Sequence, residues 1–152
     1  MALFEPTWRQ GQRVVFFDLD TVICGDLGAL AALDVEFGIC QNFTRLAGLK
    51  NVCAYGSCVM TIGPDRMGDV WEQFSDEPQQ WINASGPHGD QWIIEKLAPG
   101  GCLLQEALPT GYFLGYRELT DAKPPGCSLV IFAGRSKPHN CNEEWIQREW
   151  TL

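Results

Sequence analysis

Segments with strand-like and helix-like patterns of apolar residues alternate along the chain. RVVFFDLD, residues 13–20, is apolar on both faces and predicts a buried strand that ends at two aspartates. LGALAAL, residues 27–33, predicts a short helix, and Asp26 stands where its carboxylate can cap that helix. VEFGI, residues 35–39, alternates between large apolar and other positions, which indicates a second strand.

The rest of the pattern predicts three more strands and three more helices. The strands are expected at residues 58–62, 112–119 and 127–134. The helices are expected at residues 63–74, with Pro64 near the first turn, and at 88–98 and 142–150. Because strands alternate with helices, we predict an α/β fold with a mixed, mostly parallel open sheet flanked by helices.

Length and composition limit the class of protein. A chain of 152 residues, 45% of them apolar and 20% charged, is expected to form one globular domain over residues 1–152. The net charge of −8 and the lack of a Lys/Arg cluster argue against a nucleic-acid-binding surface. An anionic ligand would therefore need a local device, such as a metal ion or a helix N-terminus.

The sequence shows no sign of membrane insertion or export. No apolar run approaches the roughly 20 residues that span a bilayer, and Glu5 and Pro6 interrupt the position of a signal peptide's apolar stretch. The seven cysteines are odd in number and form no CxxC pair. This usage is typical of reduced thiols, so we expect a cytoplasmic protein.

The carboxylates of Asp18 and Asp20 are the first candidate for chemistry. At a strand end the chain can turn, so both side chains can converge on one divalent cation that binds phosphate oxygens. The structural alternative is that one aspartate caps the following turn while the other is solvated. The residues alone leave both interpretations open.

A phosphatase is a second interpretation of the same segment. Hydrolases of the haloacid dehalogenase type place a nucleophilic aspartate after an apolar strand, a second aspartate two residues on and a threonine four residues on. Here Thr21 follows Asp18 by only three residues, and no later acidic pair with a lysine matches that family. The spacing therefore disfavours a phosphatase.

Four blocks of sequence together resemble one family. In order and spacing, from about residue 13 to residue 150, they are similar to GT-A glycosyltransferases related to glycogenin and to the bacterial lipopolysaccharide galactosyltransferases. Their bacterial and phage branch resembles this chain most. The blocks are RVVFFDLDTVICGDL, YGSCVMTIGPDRMGDVWEQF, HGDQWIIEKL and SLVIFAGRSKPHN, the last followed by Trp145.

The resemblance implies a nucleotide-sugar donor and a metal cofactor. Asp18 and Asp20, as the family's Asp-x-Asp motif, would bind manganese or magnesium and, through it, the donor diphosphate. Lys137 would contact that diphosphate and help to neutralise the leaving group, and Arg135 would lie in the same substrate-binding segment. Without the resemblance, these two basic residues would be read as an ordinary solvated loop.

The resemblance also implies contacts to the sugar. Gly56 and Ser57 would border the sugar, while Asp90 and Gln91 would act near the reacting carbon. A carboxylate there would favour the oxocarbenium-like sugar of the transition state. Taken alone, the first pair is better read as a turn, and Asp90 as a cap of the helix that begins there.

The chain departs from the family in two ways. The resemblance implies a metal-binding histidine just before Gly134, but this chain has Ala133, which cannot coordinate a metal. Members also carry an N-terminal half before the acidic pair, which supplies most of the base and ribose contacts. We therefore expect a fragment, a compact relative, or a protein completed by a second chain or by self-association. A non-catalytic sugar-nucleotide-binding module stays open as the alternative function, and the sequence does not identify the acceptor.

Overall fold

The computed structural model describes residues 1–5, 7, 11–46, 53–63, 67–134 and 136–150. The strands are Val14–Phe17 (β1), Thr21–Ile23 (β2), Phe37–Gln41 (β3), Tyr55–Ile62 (β4), Cys102–Leu103 (β5), Phe113–Gly115 (β6) and Leu129–Ile131 (β7). The helices are Gly28–Ala31 (α1), Phe43–Leu46 (α2), Met67–Asp76 (α3), Pro78–Ser85 (α4), Gly89–Leu97 (α5), Leu104–Ala107 (α6) and Glu144–Glu149 (α7). Within these ranges no helix has the length and apolar character that crossing a bilayer requires.

The strands form two small sheets. The first sheet has four strands in the order β1-β4-β3-β5, and the second has three in the order β2-β7-β6. In the first sheet β4 is antiparallel to both of its neighbours, and β5 joins β3 in parallel. In the second sheet β7 runs antiparallel to β2 and parallel to β6. The chain changes sheet between β1 and β2, immediately after the predicted first strand.

The mixed α/β class is confirmed, but the expected excess of parallel pairing is wrong. Of the five strand pairings in the described part of the chain, three are antiparallel and two are parallel. Regular strand–helix alternation would have favoured parallel neighbours. Here three helices, α3, α4 and α5, follow β4 in succession, and β3 and β4 pair directly although α2 lies between them.

Burial corrects the description of the first strand. The segment 13–20 was expected to be buried on both faces, yet every residue of β1 is only half-buried. The reason is that β1 is an edge strand with β4 as its one partner among the described strands. The sequence pattern also missed α4, in which four of eight residues are Gln, Asn or Ser, and the short elements β2, α2, β5 and α6.

Other predicted elements are present with different bounds: β4 begins at Tyr55 and β3 ends at Gln41, whereas the expected strands covered residues 58–62 and 35–39. Asp26 accepts a hydrogen bond at 3.0 Å from the backbone N–H of Gly28, the first residue of α1. The strand expected over residues 112–119 covers β6 and then continues as a 3-10 turn at Tyr116–Glu118. The first residues of the helix predicted at 63–74, including Pro64, lie outside the described residues.

The core consists of three clusters of buried residues, and one of them lies between the two sheets. Strand residues of the first sheet pack against α3 and α5, and the buried members include Phe37, Ile39, Met60, Ile62, Val70, Ile93 and Ile94. A second cluster joins the opposite side to the second sheet and contains Leu30, Cys40, Val59, Leu104, Leu129 and Ile131. A third packs α7 against the second sheet through Val22, Val130, Phe132, Trp145 and Ile146. Both sheets therefore share one continuous interior.

The junction after β2 has no room for a side chain. A Cβ atom on Gly25 would lie 2.7 Å from the carbonyl oxygen of Cys127 and 2.9 Å from the Cα atom of Ser128. Both are backbone atoms of the segment that leads into β7, and the N–H of Cys24 donates to the Ser128 carbonyl at 2.9 Å. The close approach of these two segments of the chain thus requires glycine at position 25.

We predict that Gly25→Ala lowers the free energy of unfolding by about 1–3 kcal/mol, since backbone must move to admit the methyl group. Gly68→Ala is the matched control, because a Cβ at Gly68 in α3 meets nothing within 4 Å. That change should alter stability by less than about 1 kcal/mol, in the stabilising direction. Urea unfolding of both variants measures the difference. Equal effects of the two substitutions would contradict the close packing.

All seven cysteines are free thiols, as the sequence predicts. Two of them touch at the same junction, where the sulfur atoms of Cys24 and Cys127 are 3.8 Å apart. A hydrogen bond from the Cys24 thiol lowers the pKa of Cys127 to about 7, although burial opposes this shift. The same contact, together with burial, raises the pKa of Cys24. The pair therefore loses its first proton near neutral pH.

We predict a thiolate absorbance step at 240 nm with a midpoint near pH 7 in the wild-type protein, from Cys127. In Cys24→Ala the midpoint should move to higher pH, because the stabilising hydrogen bond is lost while burial continues to disfavour the thiolate. Cys141→Ala, which removes a thiol outside the pair, should leave the step in place. An unchanged midpoint in Cys24→Ala would show that the two thiols do not share a proton.

Candidate functional site

A turn of three residues, Asp18–Asp20, links the two sheets. The N–H of Asp18 donates to the carbonyl oxygen of Cys58 in β4 at 2.8 Å, and the N–H of Thr21 donates back to the Asp18 carbonyl at 3.0 Å. On the other side the N–H of Phe132, just after β7, donates to the Asp20 carbonyl at 3.3 Å. The turn is therefore bonded to a strand of each sheet, and its side chains stand where the sheets meet.

A cleft of about 340 Å³ lies at this meeting point. Its walls come from the aspartate turn, the chain after β3, the start of β4, the first turn of α5 and the chain after β7. The residues that line it are Asp18, Asp20, Asn42, Phe43, Thr44, Gly56, Cys58, Gln91, Ile131, Phe132, Ala133 and Gly134. Asp18 and Asp20, the two predicted metal-binding residues, therefore line the same cavity.

Lys137 lies beside one of the two carboxylates. Its ammonium group forms a salt bridge and hydrogen bond with Oδ2 of Asp20. The Asp20 side chain is 20% exposed and that of Lys137 is 38% exposed, so the pair sits at the rim of the cleft. Asp18 is more exposed, and its Oδ1 accepts the backbone N–H of Leu19 at 2.8 Å. The acidic pair thus has one partly neutralised carboxylate and one open to solvent.

The strand β4 contributes Gly56 and Cys58 to the cleft. A Cβ on Gly56 would lie 3.2 Å from the Cα atom of Asn42 and 3.3 Å from the Gln41 carbonyl oxygen. The backbone of β4 therefore approaches the end of β3 closely at this point. Ser57 is buried and does not line the cleft. Successive residues of a strand point to opposite faces, which accounts for the separation of Ser57 from its two neighbours.

The predicted residues of α5 are also divided. Gln91 lines the cleft and accepts a hydrogen bond at 3.0 Å from the side-chain amide of Asn42. Asp90, in the first turn of the same helix, is exposed and is not among the lining residues. The structure therefore brings Gln91 to the aspartate pair but holds Asp90 outside the cleft wall, and the role of Asp90 near a reacting carbon stays a prediction.

Three lining residues with an amide, hydroxyl or thiol side chain were missed by the sequence analysis. Asn42 and Thr44 directly follow the end of β3, and Cys58 stands two residues after Gly56 on β4. The rule that ligands bind beyond the carboxyl ends of strands could have found the first two, and strand alternation the third. Arg135, predicted to bind substrate, lies outside the described residues.

The residues at the cleft fit a divalent cation that shares its coordination with a ligand. No group of three His, Cys, Asp or Glu side chains that could hold a metal occurs in the ranges the structure describes. The chain that follows β7 offers Ile131, Phe132, Ala133 and Gly134, none with a coordinating side chain. Two carboxylates remain, and magnesium sites in proteins often consist of one or two carboxylates completed by water and substrate phosphates.

Comparison with known proteins supports the fold. No protein-family model and no curated protein matches this sequence. Solved structures do match. The glycosyltransferase GlyE of Streptococcus pneumoniae TIGR4 superimposes with a TM-score of 0.64 at 15% identity, covering 99% of this chain and 43% of GlyE.

Two further structures give the same result. The galactosyltransferase LgtC, solved with donor and acceptor sugar analogues, has a TM-score of 0.60 at 14% identity and covers 91% of this chain and 60% of LgtC. The bifunctional glycosyltransferase WbbM has a TM-score of 0.60 at 14% identity, with 98% of this chain and 34% of WbbM covered.

These matches confirm the predicted resemblance at the level of the fold. The chain has the fold of GT-A glycosyltransferases, and it spans between about one third and three fifths of the length of the three solved relatives.

The salt bridge at the cleft gives a direct test of the cation site. We predict that Lys137→Met raises the affinity for Mn²⁺ alone by about fivefold, because it removes a positive charge from Asp20. Lys96→Met is the matched control, since the Lys96 ammonium lies over the Trp92 ring, 5.6 Å from its centroid, and does not line the cleft. Titration of Mn²⁺ followed by electron paramagnetic resonance measures both. Lower or unchanged affinity in Lys137→Met would contradict a cation site at Asp20.

Proposed function

We propose that this chain forms the donor-binding cleft of a glycosyltransferase, which transfers a sugar from a nucleotide-sugar donor to an acceptor. One observation carries the proposal: Asp18, Asp20 and Gln91 line the same cleft, and Lys137 is bonded to Asp20 at its rim. The sequence separates these residues widely, and the GT-A fold of the chain gives the arrangement a precedent.

The acidic pair would hold manganese or magnesium together with the diphosphate of the donor. When bound, the cation supplies Lewis-acid stabilisation of the departing diphosphate. Asp18 offers an exposed carboxylate for this purpose, and Asp20 offers the oxygen that Lys137 does not engage. Among the described residues that line the cleft, no other is acidic, so the ligand's own phosphate oxygens would complete the coordination.

The ammonium group of Lys137 would bind the negatively charged diphosphate of the donor. In a protein of net charge −8, a cleft that contains two aspartates repels an anion unless positive charge is placed at its rim. The Lys137 ammonium is 38% exposed and lies next to Asp20, so it can contact a phosphate oxygen with a small movement of its side chain. It would thereby stabilise the leaving group as charge develops on it.

The sugar would lie between Gly56 and Gln91. Gly56 brings no side chain to the cleft, and its close approach to Asn42 leaves little space for one. Gln91 offers an uncharged hydrogen-bonding group on the helical side. We propose that Asp90, which is exposed on the same helical turn, contacts the sugar or acceptor from outside the cleft wall. Ser57, buried behind the cleft, would support Gly56 and not bind ligand directly.

We further propose that the base and ribose contacts come from residues outside the part of the fold that this chain spans, whether in a longer chain, a second chain or a second copy. The chain covers less than two thirds of each solved relative. The edge strand β1 has half-buried residues and pairs with β4 on one side in the described part of the sheet. Such an edge can accept a further strand.

A sugar-nucleotide-binding module without turnover is the second candidate. It is favoured by Ala133 in the cleft wall, where a metal ligand is missing, and by the salt bridge that engages Asp20. The phosphatase interpretation loses support for a structural reason. The Thr21 side chain is buried, and its hydroxyl donates to the Cys58 carbonyl at 3.4 Å, so the hydroxyl proton is engaged by the main chain and not by a phosphate held at Asp18.

Calorimetry with Mn²⁺ and a panel of nucleotide sugars tests the proposal. We predict metal-dependent binding of at least one donor, which Asp20→Asn reduces below detection because it removes a charged ligand shared by the cation and the lysine. Asp121→Asn, an exposed carboxylate outside the cleft, should bind like the wild type.

The outcomes separate the candidates. Release of the nucleoside diphosphate in the presence of an acceptor sugar identifies a transferase, and binding without release identifies the inactive module. Hydrolysis of a generic aryl phosphate that is lost in Asp18→Asn would instead identify a phosphatase. If no donor binds with or without Mn²⁺, the glycosyltransferase proposal is wrong.

A further inference from the structure

Hydrogen bonds to main-chain groups show which atom of the Asn42 side-chain amide is the oxygen and which is the nitrogen. Asn42 is buried, and its Oδ1 accepts the backbone N–H of Thr44 at 2.9 Å as well as the Thr44 hydroxyl. A backbone N–H can only donate, so the Asn42 atom that faces it must be the carbonyl oxygen. The main chain also holds the residue, because the Asn42 N–H donates to the Ala54 carbonyl at 2.8 Å.

The other end of the same side chain is equally determined. Nδ2 of Asn42 donates to the Tyr55 carbonyl oxygen at 3.4 Å, and a carbonyl can only accept. Two main-chain groups of opposite polarity thus fix which way the Asn42 amide points. Its second N–H is then free for a neighbour, and that neighbour is Gln91, with a separation of 3.0 Å from Nδ2 to Oε1.

This chain of bonds sets the polarity of Gln91. Because Asn42 presents a donor, the Gln91 atom that faces it must be the acceptor Oε1. The remaining group of Gln91 is its NH₂, with two donors. In the described part of the chain no residue accepts a hydrogen bond from that NH₂ group. Gln91 also lines the cleft. The Gln91 NH₂ is therefore available as a hydrogen-bond donor to a ligand in the cleft.

We propose that Asn42 is a positioning residue that locks the Gln91 amide with its NH₂ toward the ligand. The ligand group at this position must then be a hydrogen-bond acceptor, such as a hydroxyl, ring or phosphate oxygen. The Gln91 carbonyl oxygen, which is the electron-rich atom of the amide, is held by Asn42 and does not act as a base or nucleophile. The identity of the ligand as a nucleotide sugar rests on the proposed function, whereas the orientation of the amide does not.

The orientation can be measured in the ligand-free protein by NMR. The side-chain NH₂ signals are assigned by their disappearance in Asn42→Asp and Gln91→Glu. We expect the Asn42 NH₂ to exchange slowly with water, because both of its protons are bonded and the residue is buried. The Gln91 NH₂ should exchange much faster. Equal protection of the two groups would overturn the proposal.

Ligand binding tests the consequence. Gln91→Glu keeps an acceptor for Asn42 but replaces the cleft-facing donor with an oxygen, while Gln91→Met removes both groups at similar size. We expect each change to weaken the nucleotide sugar found by calorimetry by about tenfold or more, the value for a hydrogen bond to a charged or fully desolvated group. Wild-type affinity in Gln91→Glu would overturn the requirement for a donor.

A double-mutant cycle tests whether Asn42 acts through Gln91. In Asn42→Asp the new carboxylate still accepts from Thr44 but presents oxygen to Gln91, so the Gln91 amide should turn over and show its carbonyl to the cleft. We expect about tenfold weaker binding from this change in the wild-type background and less than about twofold in Gln91→Met. A loss of equal size in both backgrounds would show that Asn42 is only structural.

The two readouts keep the separate proposals distinguishable. If no nucleotide sugar binds the wild-type protein, the proposed function fails, but the exchange rates still decide the orientation of Gln91. If a donor binds and the exchange rates of the two amides are equal, the function survives and the positioning role of Asn42 fails. Should Asn42→Asp not fold, the Asn42 NH₂ signals are assigned instead by nuclear Overhauser contacts to neighbouring protons, so the exchange comparison and the two Gln91 variants remain decisive.

Discussion

The site depends on the way one short turn is bonded to two sheets. Asp18 is tied to β4 through the Cys58 carbonyl, and Asp20 is tied to the chain after β7 through the N–H of Phe132. If either bond were absent, the two carboxylates would sit on a loose connection. With both present, the turn is a fixed edge where the sheets meet, and the cleft opens along that edge. The geometry of the acidic pair thus follows from main-chain hydrogen bonding.

The electrostatics of the cleft are set by a small number of groups. The protein is acidic overall, and two carboxylates face the cavity, so an anionic ligand is admitted only with compensating positive charge. Lys137 supplies one such charge and in the free protein is bonded to Asp20. When a cation and a diphosphate bind, the cation would take the Asp20 carboxylate and the diphosphate would take the Lys137 ammonium group.

Main-chain hydrogen-bonding groups orient the side-chain amides of Asn42 and, through it, of Gln91 at the cleft. The N–H of Thr44 and the carbonyl of Tyr55 orient Asn42, and Asn42 orients Gln91. Glycine allows close packing at Gly56, beside Asn42, and also at Gly25, where the chain that leaves β2 contacts the segment before β7. Function and fold are coupled at Gly56, because the same close approach places Asn42, the residue proposed to orient the Gln91 amide.

The sequence by itself determined the α/β class and most of the longer elements. Its motif blocks also singled out Asp18, Asp20, Gln91 and Lys137, which the structure brings together at one cleft. Their signals are local: apolar runs, helix periods and motif blocks. It gave the wrong balance of strand directions and missed α4, since pairing depends on which edge a returning chain joins, and no local pattern encodes that. It also could not separate Asp90 from Gln91, or Ser57 from Gly56. Only the tertiary structure decided which side of α5 and β4 meets the cleft, because that choice depends on the packing of other elements against them. For the same reason Asn42 acquired its partners only when β3, β4 and α5 came together.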